Sequence, residues 1–375
     1  MYTFYEFFAG GGMARAGLGS EWSCLFANDF DEKKSVSYCE NWGKDHFRPG
    51  DVSTVTTSEL PDSVDLAWAS FPCQDLSLAG AGAGLKGERS GTFWPFWDLM
   101  RGLNKEGRAP RLIVLENVYG ALRSHGGKDF AAIANALAKE NYKFGAVVIN
   151  AVHFVPQSRP RLFIVGVHND LSIPSEITMQ KPDKNWHPDA IKQALNGVTK
   201  KNVNKWVWWN LGGLPERSIE FADLIEENPK DVKWHSRDLT KRLISLMSET
   251  NLKKVQAAKK AGCRMVGGVY KRTRSGEQRA EVRFDVSGCL RTPAGGSSRQ
   301  TIIVVDGNKV RTRLLSPREA ARLMGLQDSY KLPSKYNDAY HLAGDGLVVP
   351  VVRYLAEKII EPILKSNTKS GKKAA

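Results

Sequence analysis

The sequence is poor in cysteine and histidine, with five and seven in 375 residues. Cys24, Cys39, Cys73, Cys263 and Cys289 are odd in number, widely spaced and form no C-x-x-C pair. That spacing excludes a disulfide framework and argues against a zinc site, so no metal is expected and a reducing compartment fits best. Long apolar runs are missing too: none approaches the roughly 18 residues of a membrane span, so no membrane partner is expected. The first residues lack the basic stretch and small-residue cleavage site of a secretory signal, which points to a cytoplasmic location. No internal repeat is present, and only the last ten or so residues have the composition of a disordered tail.

What is present is an ordinary globular balance, 42% hydrophobic and 25% charged, in a chain longer than the usual single domain. The length predicts one large α/β domain with a smaller one attached. The net charge of +14 is uneven: residues 1–168 hold 17 Lys/Arg against 18 Asp/Glu, whereas residues 169–375 hold 37 against 22. A neutral half followed by a basic half is expected if one domain performs chemistry and another grips a polyanion such as nucleic acid.

Through residue 168 short apolar runs (3–8, 23–28, 64–70, 112–116, 146–151 and 162–167) alternate with amphipathic stretches at 31–40, 93–103 and 128–140. Continuous apolar strands between helices predict a mostly parallel sheet covered on both faces, which places ligands where the strands end. After residue 169 the pattern gives way to a Pro-, Asn- and Lys-rich region. It contains Trp206, Trp208 and Trp209, which either stack on a displaced base or are core, and a long helix predicted over 238–260. Ser316-Pro317-Arg318-Glu319 starts another helix, with Ser as cap and Pro in the first turn.

The polar ends of the apolar runs carry the chemistry. The first run leads into Phe8-Ala9-Gly10-Gly11-Gly12-Met13, where glycines let a ligand approach the backbone and the next helix offers N–H groups at its start. The second ends in Asn28-Asp29, whose carboxylate is placed to hold ribose hydroxyls, beside Phe30, which can stack on a purine; Asp51-Val52 follows at the end of a third. Together the three read as the site of a nucleoside-bearing cofactor. The run 64–70 ends in Phe71-Pro72-Cys73-Gln74, before a glycine-rich segment at 80–91 suited to a mobile lid. The other four cysteines read as small buried hydrophobes. The run 112–116 carries Glu116-Asn117 to the same sheet edge, where burial would raise the Glu116 pKa and make it a proton donor. Arg159 and Arg161 alternate just ahead of the run 162–167, facing one pocket or simply solvent.

In this order the segments resemble the cytosine-C5 DNA methyltransferase family of bacteria and phages over most of the chain. Phe8–Gly12, Asp29-Phe30 and Asp51-Val52 are similar to its first three motifs, Pro72-Cys73-Gln74 to its nucleophile motif, and Glu116-Asn117-Val118 to its Glu-Asn-Val motif. Residues 157–161 are similar to Gln-x-Arg-x-Arg, and residues 315–325 and 343–352 to the ninth and tenth motifs. The resemblance implies a Rossmann-like S-adenosylmethionine-dependent methyltransferase domain at 1–170 with 336–375, and a target-recognition domain at 171–335.

S-adenosylmethionine is then the cofactor, held by the first three motifs together with Pro72, Phe93, Asp345 and Gly346. Cys73 is the implied nucleophile, Glu116 and Arg161 (with Arg159) bind the cytosine, and the base must flip out of duplex DNA. DNA contacts are expected from Gln74, Ser77, Arg89, Arg291, Thr292, Gly295, Gly296 and Arg299. A monomer is expected, with a cognate restriction endonuclease as a candidate partner in a bacterial or phage-infected cell. Asp345 departs from the family's commoner asparagine and leaves the cofactor's amino-acid end to be placed. A branch of the family modifies tRNA, but its members have little second domain, which favours DNA here.

Overall fold

The structure is a computed structural model that describes residues 1–72, 92–274, 277–291 and 299–371. Cys73, Gln74, Ser77 and Arg89, like Thr292, Gly295 and Gly296, lie outside the described residues. Two compact units emerge: residues 1–150, 160–214 and 351–375, and residues 151–159 with 215–350. The sequence boundaries at 170/171 and 335/336 thus differ from the boundaries between compact units at 214/215 and 350/351.

The first unit is built on a seven-stranded sheet of order β3-β2-β1-β4-β5-β7-β6. Its strands are β1 (Tyr2–Phe7), β2 (Trp22–Asp29), β3 (Phe47–Pro49), β4 (Leu66–Ala69), β5 (Leu112–Val118), β6 (Tyr142–Asn150) and β7 (Pro160–His168). The first five run parallel; β7 is antiparallel to both neighbours, β5 and β6. Leu66–Ala69 and Leu112–Asn117 are buried throughout, as strands covered on both faces must be. The helices α1 (Met13–Leu18), α2 (Glu32–Trp42), α3 (Phe93–Lys105) and α4 (Lys128–Lys139) connect them. The order reverses between β1 and β4, and the segments leaving these two strands, Phe8–Gly12 and Phe71-Pro72, start at the crevice where such sheets bind ligands.

Gly145 explains why the tryptophan segment folds with this unit. A side chain at Gly145 would meet Val207 O at 2.1 Å and Trp209 Nε1 at 2.5 Å, so only glycine lets residues 205–209 lie against β6. There the Phe144 N–H donates to Lys205 O and the Val207 N–H to Phe144 O. Trp209 is fully buried, and Trp206 packs edge-on against Phe144 and Trp208. Of the two roles read for the cluster, core is the one the structure gives.

The second unit carries a four-stranded antiparallel sheet with its own core of Leu243, Met247, Val255, Val269, Val282, Ile303 and Val305. Where one helix is expected over 238–260 there are two, Arg237–Ser245 and Glu249–Lys260. The break is tertiary: Met247 bridges Ala280, whose N–H donates to Leu246 O at 2.8 Å. The helix Pro317–Leu323 begins as expected, Ser316 capping it in a box with Glu319. Among the described residues no helix is long and apolar enough to cross a membrane.

Candidate active site

The turn after β1 is wound through left-handed backbone at Phe8 (φ 57°), Gly10 (φ 56°) and Gly12 (φ 75°). A side chain at Gly10 would meet nothing within 4 Å, so this face of the turn is open to a ligand. Asp29, at the end of β2, fixes the turn from the next strand: Oδ2 accepts from the Gly10 N–H at 2.7 Å and Oδ1 from the Asp31 N–H at 2.8 Å. Burial pushes its carboxyl above the usual range, opposed by Lys34 and these backbone donors. Asn28 ties β2 to β3 by donating to Arg48 O and Gly50 O.

Phe30 is 75% exposed beside Asp29, whereas Phe93 is fully buried on α3 against Phe71. Phe30 is therefore available to stack on a ring and Phe93 is core, because its turn of α3 faces the sheet. Asp51 is exposed and accepts from the Ser53 N–H, with Val52 buried next to it.

Sequence reasoning overlooked Glu6. It lies on β1 under the glycine turn, next to the backbone N–H groups of Ala14 and Arg15 at the start of α1. Complete burial raises its carboxyl to about 8, against the pull of those N–H groups and the Arg15 charge. A charged residue in an otherwise apolar strand was the signal that could have marked it.

At the ends of β5 and β7, Glu116 Oε1 lies 3.2 Å from Arg161 Nε. Arg161 is opposite Val118 in the ladder, which puts it diagonally across from Glu116 on one face. Next in line, the Asn117 amide donates to Phe71 O at 3.3 Å and holds the backbone two residues ahead of position 73. The carboxylate, the guanidinium and the end of the Phe71-Pro72 segment are thereby fixed at one corner of the sheet.

Arg159 does not join this pair. It belongs to the second unit, 2% exposed, and donates to Gly344 O, Gly346 O and Leu290 O at 2.8–3.0 Å and to Cys289 Sγ at 3.3 Å. Gln157 is likewise buried, bonded to Leu323 O and Leu290 N. The Arg159 guanidinium is thus taken up largely by backbone carbonyls of its own unit. Asp345 meets His341 Nε2 at 3.2 Å, and Gly346 caps their helix. Arg291 is exposed, and the Arg299 guanidinium lies over the Tyr336 ring at 5.4 Å. Among the described residues no cluster of three or more metal-ligating side chains occurs.

A mostly parallel sheet with helices between its strands and a glycine-rich turn at its switch point defines a Rossmann-like α/β class. The chain matches the family model of the C-5 cytosine-specific DNA methylases over residues 2–361, and it belongs to that family. It is accordingly a DNA (cytosine-5-)-methyltransferase, and the family implies S-adenosylmethionine as methyl donor. It is 28% identical over 361 residues to the type II methyltransferase M.HhaI of Haemophilus parahaemolyticus, covering 95% of this chain and 93% of that protein. It is 26% identical over 384 residues to the type II methyltransferase M.HpaII of Haemophilus parainfluenzae, covering 96% and 90%. In fold it is similar to the crystal structure of S. pombe Dnmt2 methyltransferase, with a TM-score of 0.61 at 19% identity over 96% of this chain and 99% of that one.

Proposed function

We propose that this enzyme methylates C5 of a cytosine flipped out of a specific duplex DNA sequence, through a covalent bond between Cys73 and C6 of the base. The observation that carries the reading is the Glu116–Arg161 pair, 3.2 Å apart, next to the Asn117 bond that anchors the chain leading to Cys73. Cytosine C5 is a weak nucleophile. Addition of the Cys73 thiolate forms a C6–S bond and moves the ring's electrons towards C5, while Glu116 donates to N3 and Arg161 holds O2 against the growing negative charge. C5 then takes the methyl group. Loss of the C5 proton to water restores the double bond as the C6–S bond breaks and releases Cys73.

The residues around the glycine turn fit the cofactor: Gly10 leaves space, Asp29 keeps acceptor capacity for ribose hydroxyls, and Phe30 is exposed for the purine. When bound, S-adenosylmethionine supplies the electrophilic methyl group. Asp51, Val52 and Pro72 would complete its pocket in the first unit; Asp345 and Gly346 are candidate cofactor contacts by resemblance to the family. Arg159 serves as a brace for the Gly344–Gly346 backbone and takes no part in binding the base. Candidate DNA contacts are Arg291, Thr292, Gly295, Gly296 and Arg299 of the basic second unit and Gln74, Ser77 and Arg89 of the first. The enzyme acts as a monomer, and the type II relatives suggest a cognate restriction endonuclease.

Labelled methyl transfer to duplex DNA, to RNA and to DNA with a Cys73→Ser variant tests the reading. Transfer to DNA alone, abolished in the variant, is expected; no transfer to any DNA overturns it. DNA carrying 5-fluorocytosine, which blocks proton loss, should trap an adduct with the wild type and none with Cys73→Ser.

A further inference from the structure

The glycine turn is held from the protein side by a group that the reaction does not use. Trp42, the last residue of α2, donates its indole N–H to Gly11 O at 3.0 Å. Its ring occupies the place a side chain at Gly12 would fill: a Cβ there would lie 2.4 Å from Trp42 Nε1 and 2.7 Å from Cδ1. Gly12 is therefore required both by its φ of 75° and by the approach of the indole. The ring is backed in turn by Arg15, whose guanidinium carbon lies 5.1 Å from its centroid. Arg15 Nη1 is fixed by His46 Nε2 at 2.5 Å and by the Tyr38 hydroxyl at 3.3 Å. Burial and the Arg15 charge lower the His46 pKa, against Asp45, so the neutral ring accepts from Arg15 through Nε2.

We propose that Trp42 is a positioning residue for cofactor binding: with Arg15 behind it, its indole N–H sets the Gly11 peptide and thereby the shape of the turn that receives the nucleoside. The proposal rests on the assignment of Phe8–Met13 as the cofactor turn. Asp29 holds the middle of that turn through the Gly10 N–H and Trp42 holds it through Gly11 O, so the turn is prepared before any ligand arrives. The contacts of Trp42 among the described residues are with the glycine turn and Arg15, so its effect is on binding and not on the chemical step.

The test is calorimetric titration of S-adenosylhomocysteine into DNA-free protein. Trp42→Phe keeps a ring and removes the N–H; losing one hydrogen bond should weaken binding about 3- to 10-fold. The KM for S-adenosylmethionine should rise by a similar factor, with kcat and duplex-DNA affinity within about twofold of wild type. Arg15→Met, which leaves the indole in place and removes its backing, should weaken binding in the same direction. If Trp42→Phe fails to fold, the Arg15→Met titration decides. Wild-type affinity in a folded Trp42→Phe protein, or in Arg15→Met where that variant must decide, overturns the proposal. A wild-type protein that does not bind S-adenosylhomocysteine at all overturns instead the cofactor reading on which it rests.

Discussion

Glu6 combines complete burial with a carboxyl raised to about 8 from an ordinary 4.5. Between those values the folded protein keeps a proton that the unfolded chain has released. The stabilisation is therefore full below about pH 4.5 and is lost as pH rises towards 8, by up to about 1.4 kcal/mol per pH unit. Urea denaturation at pH 5 to 8 should show this decline in the wild type and a flatter profile in Glu6→Gln; equal slopes would remove Glu6 as its source. At the active corner, Glu116→Gln and Arg161→Ala should each lower kcat about 100- to 1,000-fold, because each removes a group that meets charge developing on the base. The double variant should lose much less than the product of the two, since one interaction is removed twice. Multiplicative losses in steady-state methylation would mean that the pair does not act as a unit. Both residues were legible in the sequence because each ends a strand of clear apolar character. The capture of Arg159 by the carbonyls of Leu290, Gly344 and Gly346 was not, because alternation along a chain does not say which carbonyls will bind a guanidinium.

Among the elements, the helix Pro317–Leu323 is pinned by a fully buried ion pair, Arg313 with Glu319 at 2.6 Å. Glu319 also accepts from the Ser316 and Glu226 N–H groups. Glu319→Ala leaves Arg313 buried without its carboxylate and should destabilise the protein by about 3–5 kcal/mol, read from the denaturation midpoint. A loss under about 1 kcal/mol would show that the site admits water or relaxes freely. Gly145→Ala should likewise lower the melting temperature, since a Cβ there collides with backbone at Val207. Capping by Ser316 was visible in the sequence, being a local signal. The break at Met247 was not: it comes from a bridge to Ala280, distant in the chain, which overrides a helical stretch of suitable composition.

For the whole molecule, the basic excess is concentrated in the second unit, which holds 26 Lys/Arg against 16 Asp/Glu. Binding to duplex DNA should weaken steeply with salt, because each phosphate neutralised contributes a slope of about −0.9 in log K against log salt. Lys271, Arg272 and Arg279 are exposed on the hairpin strands Met265–Arg274 and Glu277–Phe284, Arg272 and Arg279 being cross-strand partners. Replacing all three by Glu should lower DNA affinity and flatten the slope by about 3 if each contacts a phosphate. A gel-shift salt titration indistinguishable from wild type would take this hairpin out of the DNA interface.

By itself the sequence determined the alternation of strands and helices, the glycine turn, the acidic residues at the strand ends and the basic second half. Each of these is written in local periodicity, turn chemistry or charge, so neighbouring residues suffice to read it. Only the tertiary structure decided that the tryptophans are core, that Arg159 is a brace, that Glu6 is buried under the glycine turn and that Trp42 lies against that turn. These are contacts between residues distant in the chain, and it is folding that brings them within hydrogen-bonding distance.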